Sequence, residues 1–245
     1  IAYTQTENQG MDKKRIRGFL YGIAATLSIT VSAQEPNGNT ATTPGLPAGV
    51  AELTPAEPGS DRFLFQSTQV GTPYVIDITR IDSPSGAGDS DDSAPVIFVT
   101  DYHAFSTRIP EMVRSLDLHA SIYVVGIAWD EGNAGLTRDG AAERAFRRTR
   151  DFLPVYDAAG VASWKQELAS AGLPVPDVAE FGHADDFLAF IEQELKPFLF
   201  ARYRANVEDS TLVGHSAGGL FVLYVLFTAP QAFEPYVSIR PPEGN

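Results

Sequence analysis

Cysteine is absent from all 245 residues. Its absence excludes disulfide bonds, thiolate zinc sites, iron–sulfur clusters, a cysteine nucleophile and a lipid-anchored cysteine. Basic side chains are also scarce, because 18 Lys and Arg stand against 31 Asp and Glu and leave a net charge of -13. A chain this acidic repels phosphate backbones and anionic membrane surfaces, so we expect neither nucleic acid nor a membrane as a partner.

The remaining composition is that of an ordinary globular protein, with 44% hydrophobic and 20% charged residues. A chain of this length can bury a core of its own, and we expect one folded domain. We predict no cofactor and no metal.

The first 60 residues are expected to lie outside that domain. A basic stretch precedes the apolar run 18–31, and small residues follow at the positions that a signal peptidase reads. This pattern predicts a signal peptide that starts at Met11 and is cleaved after Ala33, and therefore a periplasmic or secreted protein. Residues 34–60 are rich in proline and lack an apolar period, which predicts a flexible linker. The predicted domain covers residues 61–245.

Apolar periodicity within this domain predicts an alternation of strands and helices. Residues 63–70 and 73–81 alternate apolar and polar side chains around a Gly-Thr turn, as in an antiparallel hairpin. Residues 96–99 and 121–128 are continuous apolar runs with a helical period between them, which predicts two buried parallel strands joined by a helix. Residues 163–171 fit a short helix.

The second half of the domain continues this alternation. A helical period runs from His183 to Tyr203, and we expect Pro197 to kink the helix. A short strand at 210–213, an apolar helix at 217–228 and the start of a strand at 236–239 complete the predicted elements. Together they predict an α/β fold with a mainly parallel sheet and helices on both faces.

One predicted turn carries the chemistry. It reads Gly214-His215-Ser216-Ala217-Gly218-Gly219, a Gly-x-Ser-x-Gly pattern between a predicted strand and an apolar helix. This is the context of a nucleophile elbow, in which a strained turn lifts a serine hydroxyl above the carboxyl end of a strand. Glycine two residues before and after the serine avoids side-chain collisions there. We therefore predict Ser216 as a nucleophile and the backbone N–H of Ala217 as an oxyanion donor. The alternative is a turn that serves packing only.

Five blocks of sequence share a family pattern, at residues 96–101, 150–154, 183–187, 194–198 and 212–219. Together they resemble the α/β-hydrolase esterase family that contains siderophore esterases, feruloyl esterases, S-formylglutathione hydrolases and mycolyltransferases. The resemblance implies an α/β-hydrolase fold and a serine hydrolase that cleaves a small-molecule carboxylic ester through an acyl-enzyme on Ser216.

The same resemblance implies a second oxyanion donor. In that family, the residue after an Asp-Gly pair donates this backbone N–H. Here the segment reads Asp101-Tyr102-His103, so the role passes to the backbone of His103, with Tyr102 in place of the family's glycine.

The other members of a catalytic triad do not appear after Ser216. In α/β-hydrolases the acid and the histidine follow the serine in the chain, yet residues 217–245 contain no histidine. We therefore expect the domain to be C-terminally incomplete, truncated before its last strands, with both groups beyond Asn245. An upstream histidine would serve only if it lay within hydrogen-bonding reach of the serine oxygen. Three functions stay open: an exported ester hydrolase, an acyltransferase on the same fold, and an inactive fragment or binding module.

Overall fold

The computed structural model describes residues 45–55, 57–83, 94–102, 108–116, 118, 120–130, 147–154, 158–170, 172, 175 and 182–239. The predicted signal peptide and residues 34–44 of the predicted linker lie outside these ranges.

Within these ranges, seven strands form one mixed sheet. The strands are β1 (Val50–Leu53), β2 (Ser60–Gln66), β3 (Pro73–Ile81), β4 (Pro95–Thr100), β5 (Ile122–Trp129), β6 (Asn206–His215) and β7 (Tyr236–Ile239). Their order across the sheet is β1-β2-β3-β5-β4-β6-β7. The last four strands run parallel to one another, whereas β1, β2 and β3 pair in antiparallel fashion and β3 is antiparallel to β5. The predicted hairpin and the predicted parallel strands are therefore confirmed.

The first strand shows that part of the predicted linker is wrong. Val50–Leu53 pairs with β2 in a register that sets Val50 opposite Phe65, and Val50 is buried in the core. The ordered fold therefore begins before residue 61. Four strand residues followed by prolines carry too short an alternation to be separated from a linker by sequence pattern.

Helices cover both faces of the sheet, as the sequence predicts. Successive residues of β5 point to opposite faces, so Val124 and Val125 belong to two separate core clusters. The helix α1 (Arg108–Ser115) buries Ile109 and Val113 on the face of Val124. Helices within the described ranges also include α2 (Ala158–Ser170), α3 (Ala184–Phe190), α4 (Lys196–Tyr203) and α5 (Ala217–Thr228).

The face of Val125 carries an aromatic core beneath α3, α4 and α5. Phe187 of α3 packs its ring edge-on to Phe221 of α5, with centroids 5.0 Å apart, and both rings are fully buried. This contact fixes α5 across the sheet. No helix in the described part of the chain is long and apolar enough to cross a membrane.

A π-helical turn precedes Pro197, the residue at which the sequence predicts a kink. Residues Ile191–Leu195 join α3 to α4, and the N–H of Lys196 donates to the carbonyl of Ile191, five residues earlier. Because proline has no N–H and its ring crowds the carbonyl four residues back, a wider turn before Pro197 relieves the clash. The Lys196 ammonium donates to the carbonyl of Ala232 at 2.7 Å, which ties this turn to the segment before β7.

The hairpin between β2 and β3 has a longer turn than the sequence predicts. β2 ends at Gln66 rather than at residue 70. The backbone N–H groups of Thr68 and Gln69 donate to Oε1 of Glu194 at 2.9 and 3.2 Å. A carboxylate 126 residues away along the chain therefore shapes this turn, and local periodicity contains no sign of it.

Candidate active site

Ser216 forms the turn between β6 and α5. β6 ends at His215 and α5 begins at Ala217, so the change from strand to helix occurs at this one residue. Its backbone adopts φ 56° and ψ -116°, a conformation that costs energy for any residue with a side chain. The N–H of Ser216 donates to the carbonyl of Ile239 in β7 at 2.9 Å, which fixes the turn against the neighbouring strand. Ser216 is half-buried, and its side chain makes no capping hydrogen bond to α5.

The glycines around Ser216 are required by close contact. A Cβ at Gly214 would lie 2.2 Å from the carbonyl oxygen of Gly218, and a Cβ at Gly218 would lie 2.4 Å from Oγ1 of Thr100. Thr100 ends β4, so the first turn of α5 packs directly on the end of that strand. The expectation that glycines on both sides of the serine prevent collisions is confirmed.

The first turn of α5 can receive an anion next to Ser216. Ala217 is the first residue of the helix, and an N–H in this position has no acceptor within the helix. The helix dipole adds partial positive charge at the same end. The structure therefore brings the predicted nucleophile and the predicted donor Ala217 together. His103, the other predicted donor, lies outside the described residues. The described stretch before it ends with Asp101 and Tyr102.

Tyr102 fills a space beside the neighbouring strand. Its side chain is buried, and its ring lies over Gly126 in the middle of β5, where a Cβ would stand 2.0 Å from Cγ of the ring. Burial and, second, the charge of Asp77 raise the pKa of Tyr102 to about 12. Tyrosine at this position is therefore a packing residue that anchors the chain where it leaves β4.

Asp101 and Arg148 form a bidentate ion pair close to the elbow. Nε of Arg148 lies 2.9 Å from Oδ1 and 2.8 Å from Oδ2 of Asp101, and Nη2 lies 2.8 Å from Oδ2. Asp101 is buried and has φ 58°. Its Oδ2 lies 3.6 Å from the Cβ position of Gly218 in α5. The sequence pattern does not predict a role for Arg148, and the one sign of it is the group of arginines at residues 147–150 in a strongly acidic chain.

His215 lies in the field of this ion pair. Burial lowers the pKa of its imidazole; the carboxylate of Asp101 acts in the opposite direction, and the guanidinium of Arg148 lowers the pKa further. His183 is placed at the start of α3, where its Nδ1 lies 2.7 Å from Oδ2 of Asp186. His215 and His183, the two upstream histidines among the described residues, therefore each lie close to a carboxylate, Asp101 and Asp186 respectively.

Asp151 anchors the segment that carries Arg148. Its side chain is fully buried and accepts hydrogen bonds from Tyr74 Oη at 2.8 Å, Trp129 Nε1 at 2.6 Å and Arg150 Nε at 2.6 Å. Trp129 ends β5, and β5 and β6 run in the same direction, so this network lies at the carboxyl end of the parallel strands, the end that also carries Ser216. Residues 147–154 are therefore attached to this end of the sheet at two points, through Arg148 to Asp101 and through Asp151 to Trp129.

Comparison with known proteins shows that this chain is similar to esterases. Residues 127–242 match the family model described as Esterase. The ferri-bacillibactin esterase BesA of Bacillus subtilis is 47% identical over 194 residues, which cover 75% of this chain and 58% of that protein. Over these residues the chain is similar to α/β-hydrolase esterases.

Two other relatives agree with this assignment. The siderophore enterobactin esterase of Emericella nidulans is 28% identical over 199 residues, covering 77% of this chain and 61% of that protein. The crystal structure of the BES protein from Bacillus cereus superposes with a TM-score of 0.55 at 25% identity, covering 76% of this chain and 64% of that one. The expected α/β-hydrolase fold is thus confirmed. The chain spans less than two thirds of the length of each of these relatives.

Proposed function

We propose that this chain carries the nucleophile and the anion-binding turn of a serine ester hydrolase. The observation that supports the proposal is the strained conformation of Ser216 at the β6–α5 turn, with a hydroxyl that does not cap the helix. In the proposed reaction, Oγ of Ser216 attacks the ester carbonyl, and its proton passes through a base to the departing alcohol. Water then cleaves the acyl-enzyme and releases the acid.

The oxyanion of each tetrahedral intermediate is proposed to bind the N–H of Ala217 together with that of His103. Donors directed at developing negative charge are worth about 10²- to 10³-fold each in kcat in well-studied serine hydrolases. We propose that the base is a histidine held by a carboxylate, the general base of the serine triad.

We propose a siderophore held together by ester bonds as the substrate class. Support comes from the relatives: the protein of Emericella nidulans is named a siderophore enterobactin esterase and BesA a ferri-bacillibactin esterase, and BesA is identical to this chain at nearly half of the aligned positions. Hydrolysis of such a siderophore at a higher kcat/KM than a simple p-nitrophenyl ester of matched acyl length would support this class. The reverse preference would contradict it.

The test of the hydrolase proposal compares Ser216→Ala with wild type in the full gene product. Turnover of a p-nitrophenyl ester is expected to fall by at least about 10³-fold, because the remaining binding contacts cannot form an acyl-enzyme. The control is Ser170→Ala, a serine on α2 whose hydroxyl bonds the carbonyl of Gln166. Unchanged turnover in Ser216→Ala would contradict the proposal. Transfer of the acyl group to added glycerol in preference to water would instead identify an acyltransferase.

We also propose that the protein is exported, with the signal peptide removed after Ala33. The basic stretch and the apolar run that follows it support this proposal. N-terminal sequencing of the protein recovered from the periplasm or the medium is expected to begin at Gln34. A cytosolic product that retains Met11 would contradict it.

A further inference from the structure

A buried carboxylate lies beside the end of α5 that receives the proposed oxyanion. Asp101 is 7% exposed, and its Oδ2 lies 3.6 Å from the Cβ position of Gly218, the second residue of α5. A negative charge here interacts with the same helix dipole that would stabilise an oxyanion on the substrate. Without compensation, it would also repel that oxyanion through a medium of low polarity.

Arg148 supplies the compensating charge. Its guanidinium contacts both oxygens of Asp101 at 2.8 to 2.9 Å, the bidentate geometry that gives the strongest carboxylate pairing. The two residues come from separate parts of the chain, since Asp101 follows β4 and Arg148 lies in the helical segment 147–152. The network around Asp151 attaches that segment, and with it the backbone of Arg148, to the sheet.

We propose that Arg148 is a positioning residue for the reaction of Ser216, which neutralises Asp101 and thereby leaves the first turn of α5 to the substrate oxyanion. This inference rests on the proposed function. The oxyanion is formed after the substrate binds, so loss of Arg148 is expected to lower kcat while KM changes little.

The experiment measures ester turnover in the full gene product for Arg148→Gln, Asp101→Asn and the double variant. Arg148→Gln is expected to reduce kcat by about tenfold or more, because it leaves a buried carboxylate unpaired beside the reacting atoms. The double variant removes both charges, so most of the lost kcat is expected to return.

A second ion pair in the same protein provides the control. Arg62 and Asp77 form a bidentate pair at 2.9 and 3.0 Å between β2 and β3, and their side-chain exposures of 22% and 6% match the 25% and 7% of the Arg148 pair. Arg62→Gln is expected to lower the melting temperature by a similar amount and to leave kcat unchanged. A general loss of packing would affect both variants alike.

An NMR titration of His215 provides a readout besides activity. Arg148 lowers the pKa of this imidazole and Asp101 raises it. The pKa of His215 is therefore expected to rise in Arg148→Gln and to fall back in the double variant. The inference is overturned if Arg148→Gln keeps wild-type kcat, or if the double variant is no faster than Arg148→Gln. Absence of turnover in the wild type would overturn the proposed function itself, a result distinct from either of these.

Discussion

The ring of Tyr102 occupies the space that any side chain at Gly126 would need. A Cβ at Gly126 would lie 2.0 Å from Cγ and 2.1 Å from Cδ1 of that ring. The contact explains a glycine in the middle of the buried strand β5, where it otherwise weakens a sheet. It also fixes the point at which the chain leaves β4 on the way to the proposed oxyanion donor His103.

A double-mutant cycle at this contact tests the packing. Gly126→Ala is expected to destabilise the fold by about 1–3 kcal/mol because the new methyl group overlaps the ring. Tyr102→Ala is expected to cost about 3–5 kcal/mol through the cavity it leaves. When both changes are present, the methyl group enters that cavity, so the combined loss is expected to be smaller than the sum. Urea unfolding of the four proteins measures the coupling, and strict additivity would contradict the contact.

Tyr102 is also expected to make the protein less stable at alkaline pH. Burial raises its pKa from 10.0 to about 12. Between these two values the unfolded state has released the phenolic proton and the folded state still holds it. The stabilising contribution is therefore fully present below the unfolded pKa and is lost as the pH rises through the folded pKa. Tyr102→Phe is expected to flatten the decline of the free energy of unfolding across this window, and an unchanged slope would contradict the assignment.

The buried hydrogen bonds of Asp151 are expected to contribute strongly to the free energy of unfolding. Asp151→Ala leaves the buried donors Tyr74 Oη and Trp129 Nε1 without this acceptor and Arg150 without its carboxylate, a loss of about 3–5 kcal/mol. Asp82→Ala is the control, because Asp82 pairs with Arg80 at 2.8 Å but is 70% exposed, and such pairs contribute less than about 1 kcal/mol. Chemical denaturation compares the two, and equal losses would contradict a role for burial.

The elbow is expected to reject a side chain at Gly214. Gly214→Ala would drive a methyl group to 2.2 Å from the backbone oxygen of Gly218, which a rotamer change cannot relieve, so a loss above about 3 kcal/mol is expected. Gly71→Ala separates collision from backbone strain, since Gly71 has φ 75° with no atom within 4 Å of its Cβ position. There the expected cost is about 1–2 kcal/mol. Similar losses at the two positions would contradict the packing of the turn.

The sequence predicts the parts of this fold that local pattern determines. The parallel strands are visible in the sequence as continuous apolar runs. The elbow is visible as a glycine pattern, because close contacts with residues a few positions away and with the adjacent strand leave no room for a side chain there. The helix 217–228 is predicted at the bounds that the structure gives it.

The missed features depend on contacts between distant segments. Arg148 meets Asp101 across 47 positions of sequence, and Asp151 meets Tyr74 across 77. Apolar periodicity indicates which face of a helix or strand is buried, but it contains no information on which charged groups meet at the ends of the strands. The edge strand β1 escapes prediction for a related reason, since its identity depends on its pairing with β2 rather than on its own pattern.

Covalent labelling tests most directly whether Ser216 is an activated nucleophile. The full gene product is treated with a fluorophosphonate probe, and the intact mass is compared for wild type, Ser216→Ala and the control Ser170→Ala. We predict a single adduct on wild type and on Ser170→Ala, located on the peptide that contains Ser216, and none on Ser216→Ala. A folded wild-type protein that takes up no probe, or an adduct that persists in Ser216→Ala, would contradict the account.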